Sequence, residues 1–305
     1  MSMEREDRIL AALIKSTHCK LREKVLENPS NEDNIWRDHV NSIESTEYAE
    51  AMQQLSDKFW LNQTRLKWLS EKLNLYFLRN DKHRFFQRLD RKIGLDLHAA
   101  ATEENEANVV DKVKILDVGS CHNPLSKCLE NESSFDITAI DLSPATKDVK
   151  KCDFLSVSIT HDPIGVVYDE NELKIIAKES FEAVIFCLLL EYIPSPSLRL
   201  KAVEKAVEIL KPAGLLLIVT PDSNPANKNQ PQMKSWRLAL AHLGLVRIYI
   251  EKLKHVHCLA FVKVPKPKYE KVLEQEIDTV KRKYNSSFHL QSAFYIPQDK
   301  DNVSF

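Results

Sequence analysis

The stretch that decides the fold is KILDVGSCHNPL, residues 114–125. Apolar residues flank Asp117, and Gly119 follows at once. A buried strand that runs into a tight glycine turn is typical of the start of a nucleotide-binding unit, because glycine has no Cβ and lets the backbone approach a ligand closely. Turns that cradle a pyrophosphate usually carry two or three glycines, and this turn has Gly119 alone. The sequence therefore disfavours NAD or FAD as the ligand.

From residue 113 onward, short β-rich runs alternate with helical stretches, which predicts βαβ units and a mainly parallel sheet. The predicted strands are 113–118, 136–140, 182–189, 214–220, 245–250 and 257–264. The last two strands are too close together for a helix to connect them, so they are predicted to form an antiparallel pair at one end of the sheet.

The rest of the chain divides by composition. Residues 1–100 show apolar residues at helical spacing and are predicted to form a helical domain. Residues 101–112 are polar and acidic, which suits a linker before a sheet domain at 113–265. For 266–305 the sequence predicts one exposed polar helix and a frayed tail.

Composition excludes several classes of protein. The 305 residues carry a net charge of −1, with 43% hydrophobic and 29% charged residues, which is ordinary for a soluble domain and gives no support to nucleic-acid binding. The six cysteines form no C-x-x-C pair, so we expect reduced thiols and no metal site. No apolar run is long enough for a membrane span, and the first residues lack a signal-peptide core, so we expect a cytoplasmic protein.

Ligands of open α/β sheets bind beyond the carboxyl ends of the strands, and several segments would meet there. The candidate residues are Gly119, Asp141, Asp153, Phe154 and Cys187. Asp141 ends the second strand at the distance from Gly119 where an acidic residue accepts hydrogen bonds from ribose hydroxyls. Each residue alone has a plain alternative: a turn glycine, a helix or turn cap, a core phenylalanine or a packed cysteine.

The ordered set resembles a class I methyltransferase, with a Rossmann-like sheet domain that binds S-adenosylmethionine. LDVGSCHNP, KCDFL, LLLEYIPSPSLR, GLLLIVTPDS and MKSWRLALAHLGLVR together resemble the family of the yeast 25S ribosomal RNA adenine-N1 methyltransferase and the animal S-adenosylmethionine sensors of TOR signalling.

The resemblance implies a role for each candidate. Gly119 would lie against the methionine part of S-adenosylmethionine or S-adenosylhomocysteine, and Asp141 would hold the ribose. Asp153 and Phe154 would hold the adenine, and Cys187 would line the pocket. The helical domain would close over the ligand as a lid and contact partners.

Two functions follow from the resemblance. In the first, the protein is a sensor whose binding to the GATOR and KICSTOR complexes is disrupted by S-adenosylmethionine, and it inhibits TOR complex 1 when the ligand is scarce; those partners could bring it to the lysosome. In the second, it is a ribosomal RNA adenine-N1 methyltransferase, with Glu191 and Asp222 as the residues to test. The neutral net charge and the lack of a clear base-handling motif favour the sensor.

The basic stretch RNDKHRFFQRLDRK, residues 79–92, stays open. Interleaved basic and aromatic residues suit nucleic acid, but they more often form an amphipathic helix with a solvated charged face. One of its members, such as Arg84 or Arg88, could reach the carboxylate of the ligand.

Overall fold

A computed structural model describes residues 2–59, 64–94, 112–129, 132–222, 229–282 and 288–299. The predicted linker falls almost wholly outside these residues. The division into domains at residues 100 and 265 stays a prediction.

Eight α-helices occur in the described part of the chain. They are α1 (Ser2–Glu27), α2 (Glu32–Val40), α3 (Ile43–Phe59), α4 (Thr64–Leu73), α5 (Asp81–Lys92), α6 (Pro196–Ile209), α7 (Asn229–His242) and α8 (Lys266–Lys281). A single π-helical turn at Asn74–Leu78 joins α4 to the turn before α5.

The described strands form one ten-stranded sheet in the order β4-β6-β3-β2-β1-β7-β8-β10-β9, with β5 paired to β6. The strands are β1 (Val113–Val118), β2 (Phe135–Asp141), β3 (Lys150–Lys151), β4 (Ser158–Thr160), β5 (Val166–Asp169), β6 (Glu172–Ala177), β7 (Phe181–Cys187), β8 (Leu210–Pro221), β9 (Leu245–Leu253) and β10 (Val256–Lys263). The six predicted strands are confirmed within a few residues, and β9 and β10 pair antiparallel at one end. The four short strands β3 to β6 carried too little periodicity to be predicted.

The middle of the sheet is buried on both faces, which is why β1, β7 and β8 are almost continuously apolar. Alternate residues of each strand supply two separate cores. Leu116 and Val184 belong to one core, and their neighbours Ile115 and Ala183 belong to the other. Parallel pairing of β1 with both β2 and β7 brings the carboxyl ends of all three strands to one edge.

The first five helices do not form one body. Leu21 of α1, Trp36 of α2 and Tyr48 of α3 pack into the first core, whereas the apolar faces of α4 and α5 pack into the core on the opposite face of the sheet. The helices α1 to α3 thus form a group separate from α4 and α5, and we call residues 2–59 the cap. The sequence could not make this distinction, because all five helices have similar amphipathic spacing.

The helix predicted after residue 265 is present as α8. Most of its residues are exposed, and one face buries Tyr269, Val272 and Leu273. The predicted frayed tail is wrong for residues 288–299. Residues 288–299 pack on α6 and α7, with Phe294 and Ile296 buried. This stretch has no helical or strand periodicity, so its apolar residues gave no sign of docking.

A buried arginine fixes that segment. Arg199 of α6 is wholly buried and forms a bidentate ion pair with Asp299, at 2.6 and 3.0 Å. Its Nε also donates to the carbonyls of Leu190 and Ile193 at 2.9 Å. One side chain therefore holds both the segment 288–299 and the loop after β7.

Among the described residues, no helix is both long enough and apolar enough to cross a bilayer.

Candidate functional site

A cleft lies at the edge where β1, β2 and β7 end. Its floor is the turn after β1 and the loop after β7, and its cover comes from α2, α3 and the start of α4. All five residues predicted from the sequence line this one cleft: Gly119, Asp141, Asp153, Phe154 and Cys187. The chain thus brings together residues that lie as many as 68 positions apart, from Gly119 to Cys187.

The turn after β1 explains how one glycine suffices. Gly119, Cys121 and Asn123 all have positive φ, at 77°, 57° and 53°. A Cβ on Gly119 would lie 3.0 Å from Leu189 Cδ1, so this position needs glycine. Two non-glycine residues take the left-handed conformation at the next alternate positions, where it costs about 1 kcal/mol or more each. Strain of this kind in a pocket lining is typical of a functional site.

Asp141 organises the floor of the cleft. Its Oδ2 accepts from the Cys121 backbone N–H and its Oδ1 from the Ser143 backbone N–H, both at 2.9 Å. Burial raises the pKa of the Asp141 carboxyl, and the two backbone hydrogen bonds oppose that shift. Each carboxylate oxygen keeps a further lone pair, so Asp141 is able to accept two more hydrogen bonds from a diol.

Asp153 and Phe154 form a second wall. Asp153 Oδ1 accepts from Trp36 Nε1 and from the Leu155 backbone N–H, both at 3.1 Å. Its Oδ2 accepts from Ser156 Oγ, which leaves a lone pair for an exocyclic amine. Phe154 is almost fully buried and meets Phe186 edge to face. Both readings of Phe154, as core residue and as pocket wall, are therefore compatible with its position.

Cys187 and Arg65 also line the cleft. Burial raises the pKa of the Cys187 thiol to about 11, and the nearby Arg65 guanidinium only partly opposes this. Cys187 is therefore a neutral thiol at pH 7 and is not activated as a nucleophile. Arg65, at the start of α4, is the cationic side chain that lines the cleft.

The sequence left open whether Arg84 or Arg88 reaches the ligand. Both side chains are exposed on α5, and neither lines the cleft. Sequence reasoning missed Arg65, because it sits in an ordinary amphipathic helix with no motif around it. Trp36 was also missed as a pocket residue, since an apolar position in a helix predicts core packing.

Asp117 is the carboxylate under the turn. It is buried, lines the cleft and accepts from Ser120 Oγ at 2.8 Å. Burial raises the pKa of its carboxyl to about 6, while the Ser120 hydrogen bond opposes the shift. A cationic group placed in the cleft would favour the ionised form of Asp117.

The raised pKa of Asp117 predicts a pH-dependent gain in stability for Asp117→Asn. The folded pKa, about 6, exceeds the ordinary value of 3.8, so the native carboxylate costs free energy as pH rises through this window. Urea unfolding should show a gain of roughly 1–2 kcal/mol at pH 5 that grows to roughly 3 kcal/mol at pH 7.5. Asp136→Asn, an exposed position on β2, is the control and should change little. A variant that is less stable at every pH would contradict the prediction.

The cap meets the cleft through an aromatic cluster. Tyr192, in the loop after β7, stacks on Tyr48 of α3 with ring centroids 4.5 Å apart. His39 Nε2 lies 2.7 Å from Tyr192 Oη, and His18 Nε2 lies 3.0 Å from Tyr48 Oη. Burial lowers the pKa of His18 to about 4. The cluster is therefore neutral at pH 7 and joins α1, α2 and α3 to the pocket loop.

Polar contacts reinforce the same junction. Glu32, in the first turn of α2, accepts from Ser195 Oγ at 2.6 Å and from Ser197 Oγ at 2.7 Å. Ser195 is also the N-cap of α6 and accepts from the Leu198 backbone N–H. Arg22 of α1 donates to the Glu191 carbonyl at 3.3 Å. The cap is thus bonded to the loop after β7 rather than only resting on it.

Glu191 and Asp222 lie outside the cleft lining. The Glu191 carboxyl is buried and accepts from Thr220 Oγ1, and its burial raises its pKa to about 7. Asp222 pairs with Lys252 at 2.7 Å and with His257 at 3.0 Å, and these hydrogen bonds lower the pKa of its carboxyl. Asp222 is thus held by two side chains, whereas Glu191 is held only through Oε1, and its buried Oε2 has no hydrogen-bond partner among the described residues.

Comparison with known proteins agrees with the fold. Residues 62–255 match the model of a family described as a methyltransferase domain. A solved O-methyltransferase family protein from Burkholderia thailandensis is 12% identical, covers 81% of this chain and 71% of its own, and superposes with a TM-score of 0.39, which is too distant to carry an argument. The match to the family model begins at residue 62, just before α4, the first helix of the second group.

Curated relatives match almost the whole chain. A Danio rerio protein named S-adenosylmethionine sensor upstream of mTORC1 is 33% identical over 98% of this chain and 78% of that protein. The Xenopus tropicalis protein of the same name is 32% identical over 96% of this chain and 76% of that protein. The predicted class I methyltransferase fold is confirmed, while kinship with the yeast 25S ribosomal RNA enzyme stays a prediction. The chain carries a methyltransferase domain and belongs to the family of the S-adenosylmethionine sensors upstream of mTORC1.

Proposed function

We propose that this protein is an S-adenosylmethionine sensor. The ligand binds in the cleft, and S-adenosylhomocysteine, which shares its nucleoside and amino-acid parts, binds there too. Ligand disrupts association with the GATOR and KICSTOR complexes, so that the protein inhibits TOR complex 1 when the ligand is scarce. The protein acts in the cytoplasm, and its partners bring it to the lysosome.

The lining of the cleft supports a nucleoside at one end. Asp141 retains two lone pairs for the ribose hydroxyls, and Asp153 Oδ2 retains one for the adenine amine. Phe154 provides an apolar wall beside that acceptor. Dinucleotide folds use an acidic residue at the end of the second strand in the same way.

The other end of the cleft supports the methionine part. S-adenosylmethionine carries a carboxylate, an ammonium and a sulfonium. Arg65 and Asp117 both line the cleft. In this proposal Arg65 binds the carboxylate, and Asp117 offsets the positive charge of the ammonium and sulfonium groups. Three carboxylates and one guanidinium line the cleft, which suits a ligand of net positive charge. Gly119 allows the close approach of the amino-acid part.

The observation that best supports a sensor is that the cap and the loop after β7 line the cleft together. Trp36, Tyr48 and Met52 of the cap line it together with Leu188 and Tyr192 of the loop after β7. A ligand in the cleft therefore contacts both the cap and the sheet domain. If the ligand binds more tightly to one position of the cap than to another, it shifts the cap toward that position. A partner that also binds one position of the cap more tightly is then coupled to the ligand, and each changes the affinity for the other by the same factor.

The alternative, a ribosomal RNA adenine-N1 methyltransferase, has less support in the described residues. Its two test residues, Glu191 and Asp222, do not line the cleft, and Asp222 is held by Lys252 and His257. A flipped-out base also needs free polar groups to grip its edge. We therefore retain this activity as an outcome of the test.

A pull-down from cytosolic lysate tests the proposal. The tagged full chain is incubated with and without S-adenosylmethionine, and captured proteins and RNA are identified. The ligand should release GATOR and KICSTOR subunits from the wild type. Asp141→Ala is expected not to bind the ligand and should therefore retain them. Capture of both complexes with no dependence on the ligand would refute the sensor. Recovery of ribosomal RNA instead would support the enzyme.

A further inference from the structure

The outer face of α5 is a continuous basic surface. Together with the preceding turn, it exposes only cationic side chains among its charged residues: Arg79, Lys82, Arg84, Arg88, Arg91 and Lys92. Arg84, Arg88 and Arg91 recur at helical spacing and so form one stripe. We call these six residues the basic face. The chain as a whole has a net charge of −1, so this surface departs sharply from the average.

The two acidic residues of α5 neutralise the basic face only in part. Asp81 accepts from Tyr249 Oη at 2.6 Å and also pairs with Arg84 at 3.4 Å, so it offsets one of the six cations. Asp90 is buried, accepts from Tyr269 Oη at 2.7 Å and pairs with Lys268 at 3.0 Å. Both carboxylates point to the body of the protein and fix α5 there.

The aromatic side chains of α5 also pack against the rest of the protein. Phe85 is buried, and Phe86 packs between Phe85 and Tyr269, with ring centroids 5.3 and 5.6 Å away. The basic face therefore lacks the exposed rings on which single-stranded bases stack. The apolar side of α5 lies in the core, so the helix also cannot insert into a membrane interface.

The length of the basic face indicates which kind of anionic partner fits it. Twelve helical residues span about 18 Å. A short acidic segment matches this length, whereas a long phosphate polymer would extend well beyond it. Arginine also suits carboxylates, because its guanidinium binds them in a bidentate way.

We infer that the basic face of α5 is a docking surface for a compact acidic segment of a partner protein. The inference does not depend on the ligand cleft, since no residue of the basic face lines it. Its test is therefore made without S-adenosylmethionine.

Fluorescence anisotropy of the full chain with a labelled, glutamate-rich helical peptide of about fifteen residues tests the inference. We expect binding that weakens at least tenfold from about 50 to about 300 mM salt, because the contact is electrostatic. Arg88→Glu with Arg91→Glu should weaken it at least tenfold, and Arg88→Gln with Arg91→Gln by less.

The matched control is Lys147→Glu with Lys151→Glu. These exposed lysines carry the same charge change on a surface that also contains Asp169 and Glu170. The control should bind like the wild type within about twofold. An equal loss in both double variants would mean that only the net charge matters and would overturn the inference. Tighter binding of single-stranded RNA or of phosphatidylserine vesicles through Arg88 and Arg91 would also overturn it.

Discussion

Asp141→Ala is expected to weaken S-adenosylmethionine binding by about 100-fold or more while the protein stays folded. Two hydrogen bonds from ribose hydroxyls to a carboxylate are worth roughly 1.5–3 kcal/mol each. The substitution also frees the Cys121 and Ser143 backbone N–H groups that Asp141 holds, so the floor of the cleft loosens. The fold should survive, because burial already disfavours the charged form of this carboxyl.

Calorimetric titration with S-adenosylmethionine measures the affinity, and thermal unfolding measures the fold. Asp141→Asn is an informative second variant, since an amide offers a single acceptor oxygen for two backbone donors and should also bind weakly. Asp136→Asn lies on the same strand but is exposed at its other end, and it should bind like the wild type. Unchanged affinity in a folded Asp141→Ala protein would remove Asp141 from the ribose role.

Arg199→Met is expected to lower the free energy of unfolding by about 3–5 kcal/mol. The side chain is wholly buried and donates to Asp299, Phe294, Leu190 and Ile193. Methionine fills similar volume but leaves the Asp299 carboxylate without its partner, and breaking a buried pair on one side costs this amount. The segment 288–299 should also become accessible to proteases, because its ion pair with α6 is lost.

Urea unfolding of the full chain measures this effect. Lys201→Met is the matched control on the same helix, because its ion pair with Asp33 is exposed on both sides and should contribute less than about 1 kcal/mol. Equal losses in the two variants would show that the buried position of Arg199 confers no special stability. Limited proteolysis then distinguishes local release of residues 288–299 from global unfolding.

Much of the sheet and its cleft could be predicted because the signals are local. The run 114–119 fixes the first strand and its turn within six residues. Asp141 and Asp153 follow apolar runs directly, so topology alone carries them to the same edge. Ser195 precedes Pro196, and this pair is a standard helix start.

What could not be predicted depends on contacts between distant elements. Trp36 and Arg65 reach the cleft only because α2 and α4 pack on different sides of it, and amphipathic spacing does not say which element a helix packs on. The left-handed conformation of Cys121 runs against residue preference, so composition could not reveal it. The docking of residues 288–299 depends on a partner, Arg199, a hundred positions earlier.

That separation has a consequence for how the protein is made. The loop after β7 is held from one side by Arg22, 169 positions before Glu191, and from the other by Arg199, whose partner Asp299 is 100 positions further on. A ribosome adds about 5–20 residues per second, so roughly 5–20 seconds pass between synthesis of the arginine and of its counter-ion. During that interval the nascent chain holds a guanidinium destined for the interior without the carboxylate that neutralises it. The ion pair that fixes residues 288–299 therefore forms only after every residue that lines the cleft has been synthesised.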